Sequence, residues 1–350
     1  MMNAVDCYAL DVGQGNACAF LLDRRRCVVI DAGPSGAVMD ALLASLGAER
    51  VEVVVVTHND ADHSRGIGAI LRRYHRTIGS IYFLQDRPVP EIRWLSELRA
   101  SMGQRLRPLL KKFRRLETGE AAATIWRDGQ TGASLQLLYP PFWDNLEAQR
   151  ASKTNATSGI LMFHIGERRI LFCGDAPLSV WKQIHRDHGP LACDVLIVPH
   201  HGGLLGTATE GKTEAEQVDW LYSTAIQCST AAVLSVGTDN PHKHPRKEVV
   251  RALVRAGVTP MCTEITPRCH DQVHALVPGV MTLPDYVMPP SRCGLQVGWS
   301  PRPTTAAHGC AGTVEIQLRG DQVLLPGMKR HQDAIDRLMK SGDAHVLCRP

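Results

Sequence analysis

A run of four valines followed by a block of histidines and aspartates constrains this chain more than any other stretch. Residues 53–56 are all valine, and Val51 precedes them. A short, uninterrupted apolar run of this kind predicts a strand that is buried on both faces, as in a parallel sheet covered by helices. The predicted strand ends at Thr57, so the polar block begins at the carboxyl end of a buried strand.

Four metal-binding side chains follow that strand within six residues: His58, Asp60, Asp62 and His63. Imidazoles combined with carboxylates suit zinc or manganese. The alternative is a polar loop whose aspartates cap the next helix, but capping accounts for one aspartate and leaves the histidines unexplained. The block therefore predicts half of a metal site.

Other apolar strands end in residues of the same types. The predicted strand 194–198 runs into His200 and His201, and strand 231–236 runs into a segment that contains His244. Asp175 closes a predicted hairpin. Strand ends on one edge of a sheet can converge in space, which would assemble one metal site from distant parts of the sequence.

Two early strands also end in carboxylates, Asp11 and Asp31. They predict a sheet edge that collects acidic groups. The alternative, that each aspartate caps a turn, is about equally good for Asp11.

Residues 91–117 are predicted to form one long basic helical region, with breaks at Gly103 and Pro108. Lysines and arginines in such a region neutralise nucleic-acid phosphates, although a solvated helix face is an equally good interpretation. The candidate nucleic-acid-binding residues are Arg105, Lys111, Lys112, Arg114 and Arg115.

Composition sets the outer limits. The 350 residues are 44% hydrophobic, enough for one large core or two smaller ones, and the net charge of +4 is too small to identify a polyanionic partner by itself. Neither a leader peptide nor an apolar run of membrane-spanning length is evident, so we expect a cytoplasmic protein without membrane insertion. Eleven cysteines without a secretion signal favour thiols or metal ligands over a disulfide framework.

The C-terminal region differs in character from the rest. We predict a domain over residues 1–258 and a separate extension over 259–350. Cysteines and histidines are dense in the extension, which suggests a structural zinc site, although buried thiols in a small β extension explain them slightly better. The candidate zinc ligands are Cys262, Cys269, Cys293 and Cys310.

Seven short motifs occur together in this chain. They are LDVGQGNA (10–17), VVIDAG (28–33), VTHNDADHSRG (56–66), NATS (155–158), LFCGD (171–175), DVLIVPHHGG (194–203) and SVGTDNPHKHP (235–245). With these motifs the chain resembles the metallo-β-lactamase superfamily, and more narrowly the hydrolase domain of ComEC/Rec2 competence proteins. The resemblance covers roughly residues 4–260 and implies an α/β fold, a four-layer αββα sandwich.

The resemblance also implies roles for individual residues. Asp62 and His63 match ligands of a second metal, His58 matches a ligand of the first, and Asp175 matches the carboxylate between them. His200 or His201 matches the last histidine ligand; we assign His200 to metal and His201 to catalysis beside Asp62 and His244. Asp31 matches a bracing residue. Asp11, Asn155 and Ser158 are expected to support the ligands.

Two departures from the common superfamily pattern bear on the metals. Asp60 and Asn155 stand where histidines are usual, an arrangement that the competence-type branch shares. Fewer imidazoles and more oxygens make the first site harder, so it is expected to bind zinc weakly, to prefer manganese or to fill only with substrate bound.

The implied activity is hydrolysis of DNA phosphodiesters by a hydroxide that two divalent ions activate, Zn²⁺ or Mn²⁺. DNA is the expected partner, bound without sequence preference, and a protein partner is unknown. The alternatives are a metallohydrolase of a small phosphodiester or a lactone, and a scaffold without activity.

Overall fold

Two mixed β-sheets pack face to face between two layers of helices. The computed structural model describes residues 4–119, 121–151, 155–206, 213–271, 273, 309–340 and 345–348. This architecture confirms the predicted four-layer sandwich.

The first sheet contains eight strands. They are β1 Ala4–Ala9, β2 Ala17–Leu21, β3 Arg26–Ala32, β4 Arg50–Val56, β5 Ser80–Phe83, β6 Phe113–Arg115, β14 Val314–Arg319 and β15 Gln322–Leu324. Their order is β15-β14-β1-β2-β3-β4-β5-β6. Strands β3 to β6 are parallel neighbours, so their carboxyl ends lie at one edge.

The second sheet contains seven strands. They are β7 Ala123–Arg127, β8 Ser134–Tyr139, β9 Ile160–Ile165, β10 Arg168–Phe172, β11 Leu191–Ile197, β12 Ile226–Leu234 and β13 Thr259–Cys262. Their order is β13-β12-β11-β10-β9-β8-β7. Strands β10 to β13 are parallel neighbours. The carboxyl ends of five of these strands meet at one edge of the sandwich: β3, β4, β10, β11 and β12. We call this edge the rim.

The helices cover the outer faces. Against the first sheet lie α1 Ala37–Ser45, α3 Ile67–Tyr74, α4 Arg93–Met102 and α5 Arg107–Leu110. Against the second lie α7 Leu178–His188, α8 Glu214–Trp220, α9 Lys247–Arg255 and the last described helix, Met328–Lys340. Two more helices are α2 Ala61–Ser64 and α6 Phe142–Ala151. None of the described helices has both the length and the hydrophobicity of a membrane-spanning segment.

The valine run is buried on both faces, as predicted. Val53 and Val55 belong to the core between the sheets, whereas Val54 and Val56 pack toward the helices of the first sheet. Each fully buried valine stabilises the fold by about 1.5–3 kcal/mol. This burial fixes the position of the segment that follows the strand.

The prediction of one long helical region over residues 91–117 is wrong. Gly103, with φ 53°, ends α4, and after α5 the chain forms β6, which pairs with β5 at the sheet edge. Phe113 in β6 packs edge-on against Phe83, at 5.6 Å between ring centroids. Burial of aromatic surface against the sheet outweighs helical propensity here.

The C-terminal residues are part of the sandwich. Strand β13 pairs with β12 in the second sheet, and β14 pairs with β1 in the first. Both sheets therefore continue across residue 258 in the described part of the chain, and the division into two domains stays a prediction.

Candidate metal centre

The rim gathers the predicted ligands because parallel strands of both sheets end there. In chain order the side chains are His58, Asp60, Asp62, His63, Asp175, His200 and His201. The first two follow β4, and the next two lie on the single turn of α2. Asp175 follows β10, and the histidine pair follows β11 in a turn where both residues have positive φ. Such backbone strain is typical of functional sites.

Asp31, at the carboxyl end of β3, fixes the orientation of His63. Its carboxylate accepts hydrogen bonds from the Thr57 amide and hydroxyl, at 2.8 and 2.7 Å, and lies 2.9 Å from His63 Nδ1. A carboxylate accepts here, so the imidazole proton sits on Nδ1. His63 Nε2 therefore points into the centre and can bind a metal ion once it has lost its own proton, which is the orientation that a bracing carboxylate provides.

His201 is oriented in the same way. Its Nδ1 donates to the Ser235 carbonyl at 3.0 Å, and its Nε2 lies 3.1 Å from His63 Nε2 and 3.4 Å from Asp62 Oδ2. Two nitrogen lone pairs facing each other at this distance repel unless a cation or a proton lies between them. We call Asp62, His63 and His201 the His201 side of the centre.

Asp175 divides the centre. Its Oδ1 lies 3.2 Å from His63 Nε2, and its Oδ2 lies 3.8 Å from His58 Nε2. We call His58 and Asp60 the His58 side; His58 Nε2 and Asp60 Oδ2 are 3.9 Å apart. His58 Nε2 and Asp175 Oδ1 are both buried and lack a hydrogen-bond partner. Such orphaned polar atoms are costly unless another group satisfies them, so the residues around Asp175 fit a bound metal ion.

The pKa values follow from the same contacts. Burial alone would lower the pKa of His63, but the carboxylates of Asp175 and Asp31 outweigh burial and raise this pKa well above its ordinary value. Burial would raise the pKa values of Asp62 and Asp175, but the neighbouring imidazoles hold both well below the ordinary range. Burial, with His63 adding to it, lowers the pKa of His58.

His200 and His201 occupy different positions. His201 is 1% exposed and belongs to the group with Asp62 and His63, whereas the His200 side chain is 31% exposed. His200 Nε2 lies 3.9 Å from Asp175 Oδ2, the oxygen that faces His58. The geometry thus favours the reverse of the sequence-based assignment, with His201 on the metal and His200 facing the open part of the site.

His244 lies beside this pair, with its ring centroid 5.2 Å from that of His200. Gln14 Nε2 lies 3.4 Å from His244 Nδ1; because an amide nitrogen only donates, the ring proton is on Nε2. Burial, together with His200 and His201, lowers the pKa of His244 to about 3. His244 is therefore neutral at pH 7.

The remaining predicted support residues lie near the rim. The carboxylate of Asp11 accepts a hydrogen bond from the Gly13 amide at 3.2 Å. This contact is the one expected of an aspartate that caps a turn. Ser158 is fully buried with an unpaired hydroxyl, and the amide of the next residue donates to the Thr57 carbonyl at 2.8 Å. Asn155 begins the same turn, since its carbonyl accepts from the Ser158 amide at 3.1 Å.

Arg87 is a functional candidate that the sequence analysis missed. It follows β5 at the carboxyl edge of the first sheet, and its Nη2 lies 3.0 Å from Asp60 Oδ1. The signal that could have found it is topological: β5 is the parallel neighbour of β4, so the residues after both strands meet.

The basic residues of segment 91–117 are distributed over both ends of β6. Lys111 and Lys112 precede β6, so they lie at the amino end of the strand, opposite the rim; Lys112 Nζ donates to the Ile78 carbonyl. Arg115 pairs with Phe83 at the carboxyl end of β5. Lys111, Arg105, Arg114 and Arg115 are exposed. Among the candidate nucleic-acid-binding residues, Arg115 thus lies at the carboxyl end of β6, whereas Lys111 and Lys112 lie at its amino end.

Three of the candidate zinc cysteines are described, and Cys293 lies outside the described residues. Cys262, Cys269 and Cys310 are buried free thiols, and Cys310 Sγ lies 3.3 Å from His331 Nδ1. In the described part of the chain, only two groups bring three possible ligand atoms within 4.8 Å of one another, and both lie at the rim: His58, His63 and Asp175 form one, and Asp62, His63 and His201 form the other. The structural zinc stays a prediction.

Comparison with known structures gives weak matches. YhfI from Bacillus subtilis is 13% identical with a TM-score of 0.43, and the match covers 74% of this chain and 96% of that one. Zn²⁺-bound PqqB from Methylobacterium extorquens is 15% identical with a TM-score of 0.43, over 73% and 97%. CmlA, a diiron β-hydroxylase from Streptomyces venezuelae, is 15% identical with a TM-score of 0.44, over 74% and 52%. This chain thus spans about half the length of the hydroxylase.

Comparison of sequences identifies the family. No curated protein matches this chain. The model of the metallo-β-lactamase superfamily, whose members are mostly metal-dependent hydrolases, matches residues 10–208, which is more than half of the chain and includes every ligand of the two groups at the rim. The chain therefore belongs to the metallo-β-lactamase superfamily.

Proposed function

We propose that this protein is a two-metal phosphodiesterase of the ComEC/Rec2-like type that acts on DNA. The observation that carries the proposal is the position of Asp175, whose two oxygens face ligands on opposite sides. Two divalent ions a few ångströms apart are typical of enzymes that displace an alkoxide from phosphorus. The competence-type motifs, with Asp60 and Asn155 in place of histidines, support the narrower assignment.

The residues that would hold the ions are assigned by side. On the His201 side they are Asp62, His63 and His201, on the His58 side His58 and Asp60, and between the sides Asp175. When bound, the ions would supply a water of lowered pKa and stabilise the attacking and leaving oxygens of an in-line displacement. With several oxygen ligands, Mn²⁺ is as suitable as Zn²⁺.

Two histidines outside the metal groups are placed to contact a phosphate. His244 is neutral at pH 7 and carries its proton on Nε2, so it donates a hydrogen bond to a phosphoryl oxygen instead of a full proton. The partly exposed side chain of His200 lies beside Asp175. These two residues would orient the phosphodiester and stabilise its developing charge.

A small phosphodiester or lactone remains the second candidate substrate. The observation that favours it is the position of Lys111 and Lys112 at the amino end of β6, away from the rim. A DNA strand that reaches the centre would use Arg115 but not these two lysines.

The test is hydrolysis by metal-stripped protein after reconstitution with Mn²⁺ or Zn²⁺. The substrates are labelled single-stranded DNA, labelled double-stranded DNA and bis-p-nitrophenyl phosphate. The control is the Asp62→Ala, His63→Ala variant. Degradation of DNA by the wild type alone is the expected result. Hydrolysis of the small diester without DNA degradation would contradict the DNA assignment, and metal binding without any hydrolysis would contradict the enzymatic one.

A charge-matched pair of variants tests the basic segment. The test variant carries Arg105→Gln, Lys111→Gln, Arg114→Gln and Arg115→Gln. The control removes four exposed arginines from other surfaces: Arg24→Gln, Arg76→Gln, Arg186→Gln and Arg251→Gln. If the segment binds DNA, KM for DNA rises about tenfold in the test variant alone and its salt dependence weakens. An equal change in KM for DNA in both variants would mean that the basic segment is a solvated surface without a specific role in DNA binding.

A further inference from the structure

Arg87 places a positive charge where the His58 side of the centre would bind a metal ion. Its Nη2 lies 3.0 Å from Asp60 Oδ1, while Asp60 Oδ2 is the oxygen that faces His58 Nε2. One oxygen of the proposed ligand is thus engaged by a guanidinium and the other points into the site. The Arg87 side chain is 24% exposed, so solvent only partly screens its charge.

A buried network holds Arg87 in this position. Asp86 accepts from Arg87 Nε at 3.0 Å and from Arg87 Nη2 at 3.2 Å, and its side chain is fully buried. Asn59 donates to Asp86 at 2.7 Å and accepts from Trp94 Nε1 of α4 at 2.8 Å. A buried carboxylate requires a compensating charge, so Asp86 keeps the guanidinium beside the rim.

The two sides of Asp175 therefore differ in electrostatics. The carboxylate of Asp62 lies beside His201 Nε2, an atom that can itself bind the metal. The ion pair of Asp60 is with Arg87, a group that cannot bind a metal and stays protonated at any working pH. A cation that arrives at the His58 side must therefore share the carboxylate of Asp60 with an arginine.

We propose that Arg87 sets the metal occupancy of the His58 side by neutralising Asp60, so that the two sites of the centre fill unequally. The proposal rests on the two-metal centre of the proposed function and is independent of the substrate. Arg87 acts through Asp60 and is a positioning residue. The guanidinium of Arg87 substitutes for part of the charge of the ion on the His58 side. The His201 side is therefore expected to bind its ion first.

The experiment is calorimetric titration of metal-stripped protein with Mn²⁺, which measures binding without reference to activity. For the wild type we expect one tight equivalent and a second that is at least about tenfold weaker, in the range of known coupling between sites. Arg87→Gln should tighten the weaker equivalent about tenfold and change the tight one less than about twofold. The matched control is Arg93→Gln, which removes an exposed arginine that pairs with Glu97 on α4.

A double-mutant cycle tests the route of the effect. In an Asp60→Asn background, Arg87→Gln should no longer change the weaker equivalent, because the carboxylate that the arginine neutralises is gone. If Arg87→Gln does not fold because Asp86 loses its partner, the Asp86→Asn, Arg87→Gln variant removes both charges and keeps an oxygen for Asn59.

The outcomes separate this proposal from the proposed function. Two equally tight equivalents in the wild type, an unchanged or weaker second equivalent in Arg87→Gln, or a gain that persists with Asp60→Asn would each overturn the role of Arg87 and leave the two-metal centre standing. Absence of any Mn²⁺ or Zn²⁺ binding by the wild type would overturn both proposals.

Discussion

The His201 side and the His58 side of the centre use the same residue types but are built differently. On the His201 side, buried acceptors fix both imidazoles, a carboxylate for His63 and a carbonyl for His201. On the His58 side, the hydroxyl of Thr57 lies 3.2 Å from His58 Nδ1, and Asp60 is 38% exposed and paired with Arg87. The difference teaches that ligand identity alone does not set metal affinity; the partners of each ligand decide how well it is prepared for an ion.

The largest expected effect comes from removing ligands on one side at a time. Asp62→Ala with His63→Ala should weaken the tight metal equivalent by a factor on the order of 10³ and abolish hydrolysis, because two oriented ligands are lost. His58→Ala should remove only the weaker equivalent. Equilibrium dialysis followed by metal analysis measures both. Equal losses in the two variants would mean that the sides are not distinct sites.

The adjacent histidines provide the next test. His201→Ala should weaken the tight equivalent by about 10- to 100-fold, since His201 Nε2 lies in the group with Asp62 and His63. His200→Ala should leave that equivalent unchanged and lower kcat for a phosphodiester instead. Metal titration combined with steady-state kinetics separates the two effects. The opposite pattern would restore His200 as the ligand.

Gly15 tests how the backbone supports the His201 side. A Cβ at Gly15 would lie 2.2 Å from the Asp62 carbonyl oxygen, so Gly15→Ala must displace Asp62. We expect the tight equivalent to weaken by about tenfold. The control is Gly47→Ala, which also has positive φ but no atom within 4 Å of the new Cβ; it should cost about 1–2 kcal/mol of stability with unchanged metal binding. Unchanged metal affinity in Gly15→Ala would contradict the contact.

The smallest effect concerns protons. Because the pKa of His63 is raised well above its ordinary value, the His63 ring of metal-free protein carries a second proton at pH 7. Metal binding on the His201 side should therefore release about one proton. The pKa of His58 is lowered, so filling the His58 side should release none. Calorimetry in buffers of different ionisation enthalpy measures the release. Equal proton release on metal binding at both sides would contradict the predicted difference between His63 and His58.

The same shifts give the pH dependence of the metal-free fold. A raised folded pKa means that the contribution of His63 to stability is complete below its unfolded pKa and is lost as pH rises through the folded value. The lowered pKa values of Asp62 and Asp175 act in the opposite direction, so their contribution is lost as pH falls into the acid range. Thermal unfolding of metal-free protein across pH follows both losses.

Much of the fold was predictable because its strongest signals are local. The valine run 53–56 and the apolar strand 194–198 mark buried strands by composition alone, and the polar residues after them mark the rim. The basic segment misled because cations look the same on a helix and on an edge strand. Phe113 stabilises the strand β6 through its contacts with Phe83 and Trp94, which lie elsewhere in the chain.

The sequence by itself determined which side chains are available at the rim, since each follows a strand whose burial its own neighbours dictate. The tertiary structure alone decided what each one faces. That His201 and not His200 joins Asp62, that Asp175 divides its oxygens between two sides, and that Arg87 occupies Asp60 all depend on the pairing of strands far apart in sequence. Strand pairing sets side-chain direction to within a few ångströms, and metal chemistry responds to distances of that size.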